Sequence, residues 1–109
     1  MAAIVAAIAE RRQVRRVRAE EAGWQEEAVL RPGLLVRIVN ISGSGVLLES
    51  PARLRPGRRA ELQLTSSAGD VRPLCVGRIT RCAVTGISPM VFQGAVHFEH
   101  PLTVLATKG

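Results

Sequence analysis

The sequence predicts an all-β fold, a small antiparallel barrel or sandwich that follows an N-terminal helical or flexible arm. Three observations support this prediction. Short apolar runs recur at roughly 8–14-residue spacing, some alternate apolar with polar residues, and turn residues separate them. The chain has 109 residues, 47% of them apolar, which suits one domain with a single hydrophobic core.

The predicted arm comprises residues 1–18. Alanine is frequent in its first half and neither Gly nor Pro interrupts it, which favours a helix. Its apolar start, residues 1–9, is far shorter than the roughly 20 residues that a membrane-spanning helix needs. Basic residues follow this run, whereas in a signal peptide they precede it. We therefore expect no membrane span; a membrane contact through this apolar start is the weaker alternative.

Five or six candidate strands follow the arm. The first, Trp24–Leu30, competes with a helix over residues 19–30, because its centre is charged. The other candidates are Leu35–Ile41, Val46–Glu49, Arg59–Thr65, Leu74–Val84 and Val91–Glu99. Within the fifth, Gly77 stands where a bulge is tolerated. We expect a barrel domain over residues 19–102 and a loose tail over 103–109.

The charge of the chain predicts an anionic partner. The net charge is +6, and 14 of the 15 cationic residues are arginines. The planar guanidinium binds phosphates and guanine edges with two parallel hydrogen bonds, which an ammonium cannot do. With three aromatic residues the chain lacks a stacking platform for single-stranded nucleic acid, so a specific nucleic-acid partner is not expected.

Catalysis is not expected, because general acids and bases are few. Asp70 is the sole aspartate, and Ser42 has no neighbouring base or acid in the sequence. His97 and Glu99 share one face of a strand, but two such ligands are more typical of a surface than of a metal site. We expect no metal and no cofactor.

The two cysteines indicate a reducing compartment. Cys75 and Cys82 are seven positions apart, a spacing that fits neither a redox pair nor a zinc site. We therefore expect reduced thiols in a cytoplasmic protein.

Two clusters of residues stand out as candidate binding sites. The first is a set of arginines in the arm: Arg11, Arg12, Arg15, Arg16 and Arg18. Taken alone, such a run is more typical of a solvated helix face than of a site.

The second cluster is Asn40-Ile41-Ser42-Gly43-Ser44-Gly45. It predicts a tight strand reversal, in which the glycines adopt positive φ and the polar side chains bond local backbone. The same small residues also allow a phosphate or base to approach closely. A dinucleotide fingerprint is excluded because position 48 is Leu, and no Lys-Ser/Thr pair follows to make a Walker loop.

Together, the two clusters resemble the PilZ domain, a six-stranded barrel family that binds the bacterial second messenger cyclic di-GMP. The family signatures are R-x-x-x-R and (D/N)-x-S-x-x-G, and Asn40 lies 24 positions after Arg16. Three later segments also resemble the family: Leu54–Leu64 with its L-x-x-G start, Gly77–Arg81, and Gly94–Phe98. The resemblance extends over roughly residues 10–102.

The resemblance implies a small six-stranded split barrel and a cyclic di-GMP site. Its arginine pair is Arg12 and Arg16, the choice we prefer because Glu10-Arg11-Arg12 resembles the family's lead-in, or Arg11 and Arg15. On the barrel, the implied ligand-binding residues are Asn40, Ser42 and Gly45. Asn40 occupies a position where Asp is more frequent in the family. Its amide has one acceptor oxygen instead of two, which weakens its hydrogen bonding to guanine.

The implied mechanism is that the arginine arm closes over the ligand and a protein partner reads this change of order. Two alternatives remain open. One is a degenerate PilZ-type domain that binds a protein and no nucleotide, favoured if Glu20, Glu21, Glu26 and Glu27 occupy the arginines. The other is a basic barrel that binds RNA without sequence preference.

Overall fold

The computed structural model describes residues 16–102 of the chain. The predictions for the first 15 residues, including Arg11, Arg12 and Arg15, lie outside the described residues, as does the predicted tail over 103–109. Residues 16–18 of the predicted arm are described. Val17 forms an antiparallel bridge with Ile41, so this stretch is extended and not helical.

Six antiparallel strands close into a barrel within the described residues. They are β1 (Glu27–Leu30), β2 (Leu34–Ile41), β3 (Gly45–Ser50), β4 (Arg59–Gln63), β5 (Leu74–Ile87) and β6 (Met90–Phe98). Around the barrel they follow the order β1-β2-β3-β6-β5-β4, and β4 returns to pair with β1. The predicted all-β barrel is therefore confirmed.

The core consists of apolar side chains that alternate with outward-facing ones along the strands. In β4, Ala60 and Leu62 point inward while Arg59 is exposed. The most deeply buried large side chains are Ile38, Ile41, Val46, Leu48, Leu62 and Leu64. Burying a side chain of this size contributes about 1.5–3 kcal/mol. Because several of them belong to β2 and β3, the core fixes the register of the two strands that carry the second cluster.

The segment before β2 is where the sequence prediction was least accurate. A 3₁₀ turn spans Glu20–Ala22, and Gly23 ends it with a φ of 89°. The helix over residues 19–30 is therefore wrong, and the strand is confined to Glu27–Leu30. Trp24 instead makes an isolated bridge to Ser66 and is buried in the core. A left-handed glycine stops the helix, as glycine at a C-terminal cap usually does.

The β5–β6 hairpin is longer than predicted. β5 continues through Gly86 to Ile87. Its pairing with β6 shifts register between Ile79 and Arg81 and again between Val84 and Gly86, and these shifts allow the strand to continue past residues that do not fit a regular ladder. Gly77, where a bulge would be tolerated, instead pairs regularly with Phe98, and the register shifts lie farther along the strand. A Cβ at Gly77 would lie 2.3 Å from the carbonyl oxygen of His97, so glycine is needed there for close strand approach.

Both cysteines are free thiols. Cys75 is buried among core residues, and this burial raises the pKa of its thiol to about 11. Cys82 is partly buried, and its Sγ accepts a hydrogen bond from the backbone N–H of Leu54 at 3.4 Å. Over residues 16–102, none of the helical stretches has the length and apolar character needed to traverse a bilayer.

Candidate functional site

The second cluster forms the turn between β2 and β3. β2 ends at Ile41, β3 begins at Gly45, and the backbone N–H of Ser42 donates to the carbonyl oxygen of Gly45 at 2.8 Å. The predicted strand reversal is therefore present. Its apolar neighbours on either side, Ile41 and Val46, are paired and fully buried, so the core holds the base of the turn.

Ser42 is turned toward its own loop. Its side chain is buried, with 6% of the residue exposed, and its Oγ lies 3.4 Å from the carbonyl oxygen of Gly45. The same Oγ accepts a hydrogen bond from the backbone N–H of Ser44 at 3.3 Å. In this arrangement the hydroxyl stabilises the turn, as serine side chains commonly do.

Gly45 is required by the neighbouring strand. A Cβ at this position would lie 2.5 Å from the carbonyl oxygen of Val96 on β6. The expected positive φ is absent, because within the described residues positive values occur at Gly23, Gly57 and Gly69. The expectation of a left-handed glycine in this turn was therefore wrong, and close packing of β3 on β6 replaces it.

The end of β6 and the chain after it are hydrogen-bonded to the turn. The backbone N–H of Phe98 donates to the carbonyl oxygen of Ser44, and that of Leu102 donates to the carbonyl oxygen of Gly43, both at 2.8 Å. Asn40, one residue before the end of β2, directly precedes this turn in the chain.

The arginine arm joins the barrel at this end of β2. Val17 and Ile41 exchange two backbone hydrogen bonds, of 2.9 and 2.7 Å. Beside this bridge, Arg16 Nη1 donates to Asn40 Oδ1 at 3.1 Å. The last arginine of the R-x-x-x-R motif and the first residue of the N-x-S-x-x-G motif are thus in direct contact. The assignment of ligand-binding residues, on the barrel and in the arm alike, stays a prediction.

Of the four glutamates named as competitors for the arm arginines, two pair with Arg18, and none pairs with Arg16 within the described residues. Glu20 and Glu21 each lie 3.5 Å from Arg18, and Glu26 lies 3.7 Å from Arg37. Across residues 16–102, no ion pair joins Arg16 to a carboxylate. The guanidinium of Arg16 therefore remains exposed beside Asn40.

One neighbour of the Asn40–Gly45 turn, His97, was not predicted from the sequence. His97 on β6 pairs directly with Gly45, so its exposed side chain stands on the same face of the sheet, next to a residue without a side chain. The sequence indicates only that His97 belongs to the last strand of the barrel. It does not indicate that Gly45 is the residue opposite His97 on the neighbouring strand. No group of three or more metal-ligating residues occurs in the described part of the chain.

The sequence of this chain matches a known protein family. A model of the PilZ domain matches residues 10–106, a range that includes both the arginine motif and the Asn40–Gly45 turn. The chain belongs to the PilZ family. The resemblance inferred from the two motifs is therefore confirmed.

The fold of this PilZ domain is similar to that of a solved structure, the PlzA protein of Borreliella burgdorferi in complex with c-di-GMP. The TM-score is 0.68 at 11% sequence identity, and the match covers 99% of this chain and 54% of the PlzA chain. At 11% sequence identity, the similarity to PlzA shows a shared fold and nothing beyond it. The chain spans about half the length of PlzA. A search of curated proteins gave no match.

Proposed function

We propose that this PilZ domain is a receptor for cyclic di-GMP, with no catalytic activity, and that it acts in the cytoplasm. The proposed binding residues are Asn40, Ser42 and Gly45 on the barrel and Arg11, Arg12, Arg15 and Arg16 in the arm. The observation that carries the proposal is the 3.1 Å hydrogen bond between Arg16 and Asn40, which brings the two family motifs to one place. The PlzA structure supports it, because that protein holds c-di-GMP in the same fold.

The chemistry of the ligand matches these side chains. Cyclic di-GMP carries two phosphates and two guanines, and a guanidinium can bind either group with two hydrogen bonds. Arg16 has five N–H donors, and its bond to Asn40 uses one of them. Asn40 also offers two amide N–H donors, which suit a guanine O6 or a phosphate oxygen. Both residues can therefore bind the ligand without first breaking an ion pair.

We further propose that binding changes the order of the arm. The bridge between Val17 and Ile41 fixes the arm at Arg16, so Arg12, four residues earlier, can lie no farther than roughly 14 Å from Arg16. A ligand held at Asn40 is within reach of both arginines. A protein partner would then recognise the closed arm.

One observation favours the alternative, a degenerate domain that binds a protein and no nucleotide. Ser42 Oγ is 3.4 Å from the carbonyl oxygen of Gly45, and only 6% of Ser42 is exposed. Ligand binding through this hydroxyl requires its rotation out of the turn. A Ser42→Ala variant that binds cyclic di-GMP as well as the wild type would show that the hydroxyl belongs to the turn alone.

Titration calorimetry tests the proposal. We expect the wild type to bind cyclic di-GMP in preference to GTP and cyclic di-AMP, and Arg16→Ala to bind at least about tenfold more weakly, because a lost charge-assisted bond costs about 1.5–3 kcal/mol. The matched control is Arg55→Ala, an exposed arginine between β3 and β4. No heat with the wild type, or equal weakening by both substitutions, would refute the receptor assignment.

A further inference from the structure

A concave surface lies at the opposite end of β2 from Asn40. It is a groove of about 520 Å³ between the start of β2, the end of β3 and the start of β6. This volume lies within the range of about 300–1,000 Å³ that is typical of ligand sites. The PilZ motifs do not contribute to it, and the proposed nucleotide site does not use it. We call it the β2–β6 groove.

The floor of the β2–β6 groove is apolar and open to solvent. Leu35 on β2 is 58% exposed, and Met90 on β6 is 49% exposed. Pro51, Pro89 and Val91 complete this apolar part. Three apolar segments from distant parts of the chain thus meet on one surface. They form a contiguous apolar patch, whereas exposed apolar residues on most surfaces are isolated from one another.

The rim of the groove is acidic. Direct strand pairing places Glu27, Arg37 and Glu49 in one row across β1, β2 and β3. Arg37 lies 2.9 Å from Glu49 and 3.7 Å from Glu26, while Glu27 has no ion pair among the described residues. Three carboxylates and one guanidinium give the lining a formal charge of −2, in a chain whose net charge is +6.

This groove is separate from the nucleotide site. Leu35 and Asn40 are five residues apart on β2, or roughly 17 Å along an extended strand. A register shift between Ile38 and Asn40 lies between the two regions. The two sites therefore occupy opposite ends of the same pair of strands.

We propose that the β2–β6 groove binds a segment of a partner protein that combines apolar side chains with arginine or lysine. The apolar side chains would cover Leu35 and Met90, and the cation would reach Glu27, the rim carboxylate that Arg37 leaves unpaired. The acidic rim repels phosphate groups, so lipid head groups and nucleic acids do not fit. A symmetric second copy fits less well than a basic segment, because a two-fold interface would bring together two grooves that each carry a formal charge of −2.

Fluorescence anisotropy with a defined probe tests this proposal. The probe is a labelled synthetic peptide of alternating leucines and arginines, compared with one peptide in which Glu replaces Arg and another in which Ser replaces Leu. We expect the Leu/Arg peptide to bind and both control peptides to bind at least about tenfold more weakly, because one loses the apolar contact with Leu35 and Met90 and the other loses the charge attraction to Glu27. Equal binding of the Glu-containing peptide, or no binding of the Leu/Arg peptide, overturns the proposal.

Two variants locate the binding surface. Leu35→Asp should weaken binding about tenfold, whereas Leu74→Asp, at an apolar residue of similar exposure (45%) on β5, should leave it unchanged. Glu27→Lys, at an exposed position, should weaken binding without unfolding the domain. Equal effects of Leu35→Asp and Leu74→Asp overturn the proposal. A wild-type dimer in light scattering that Leu35→Asp dissociates also overturns it, because the groove then belongs to a second copy.

Discussion

Arg16 and Asn40, 24 positions apart in the sequence, are joined by one hydrogen bond of 3.1 Å. The contact exists because Val17 is paired with Ile41, which aligns the arm with the last residues of β2. Neither motif alone identifies a site, since an arginine run is usually solvated and a glycine-rich turn usually serves the fold. Their contact is what assigns both motifs to one surface.

Asn40→Asp should increase the affinity for cyclic di-GMP. A carboxylate accepts hydrogen bonds from guanine N1 and N2 through both of its oxygens, and charge-assisted bonds are roughly twice as strong as neutral ones. We expect a gain of about 1 kcal/mol, or roughly fivefold in affinity, measured by titration calorimetry. Affinity that falls in Asn40→Asp would mean that the new carboxylate holds Arg16 away from the ligand.

Gly45→Ala should destabilise the barrel. The new Cβ would lie 2.5 Å from the carbonyl oxygen of Val96, so β3 and β6 must separate. We expect a loss of about 1–3 kcal/mol and a decrease in Tm of about 4–8 °C per kcal/mol. The control is Gly33→Ala, since no atom lies within 4 Å of a Cβ there. Thermal unfolding followed by circular dichroism measures both, and similar decreases in Tm would contradict the close-packing explanation.

Trp24→Phe should change stability little. Trp24 is 2% exposed, and its Nε1 has no hydrogen-bond partner within the described residues. Phenylalanine removes this unsatisfied donor, which offsets the smaller buried area, so we expect a change of less than about 1 kcal/mol. Trp24→Ala should lose about 3–5 kcal/mol, because it leaves a cavity. Urea unfolding distinguishes the two, and a large loss in Trp24→Phe would show that the indole nitrogen does have a partner.

Alkaline pH should destabilise the domain through Cys75. Burial raises the pKa of its thiol to about 11 in the folded state, above the ordinary cysteine value of 9.0. The folded state therefore keeps a proton that the unfolded state releases, and stability declines as the pH rises from about 9 to about 11. Cys75→Ala should flatten this part of the curve of unfolding free energy against pH. Parallel curves for the variant and the wild type would assign the effect to other groups.

The strands with regular patterns were predictable from the sequence. β2 was expected over Leu35–Ile41 and is observed over Leu34–Ile41, because its β-branched and apolar residues pack well on a half-buried strand surface. The first strand was harder to predict, since the polar run Gln25-Glu26-Glu27 favours a helix over a strand by propensity. Its outcome depends on Gly23 and on the burial of Trp24, which are tertiary effects.

The candidate site was predictable only in part. The residue types at positions 16 and 40 and the spacing between them are visible in the sequence, and the structure places Arg16 and Asn40 in contact. The need for glycine at position 45 could not be predicted from the sequence, because it arises from the close approach of β6 and not from the local backbone conformation. The β2–β6 groove was not predicted at all, since Leu35 and Met90 are 55 positions apart and meet only when the barrel closes.

The two backbone hydrogen bonds between Val17 and Ile41 have a consequence for binding strength. In the proposed receptor, they would make the arrival of the remaining arginines at a bound nucleotide an intramolecular step, for which a short tether supplies an effective concentration in the millimolar range. Inserting glycines between Arg12 and Val17 would lower this effective concentration, while every contact on the barrel stayed the same. Under this proposal, affinity for the nucleotide would depend on the length of the chain between the arginines and the barrel.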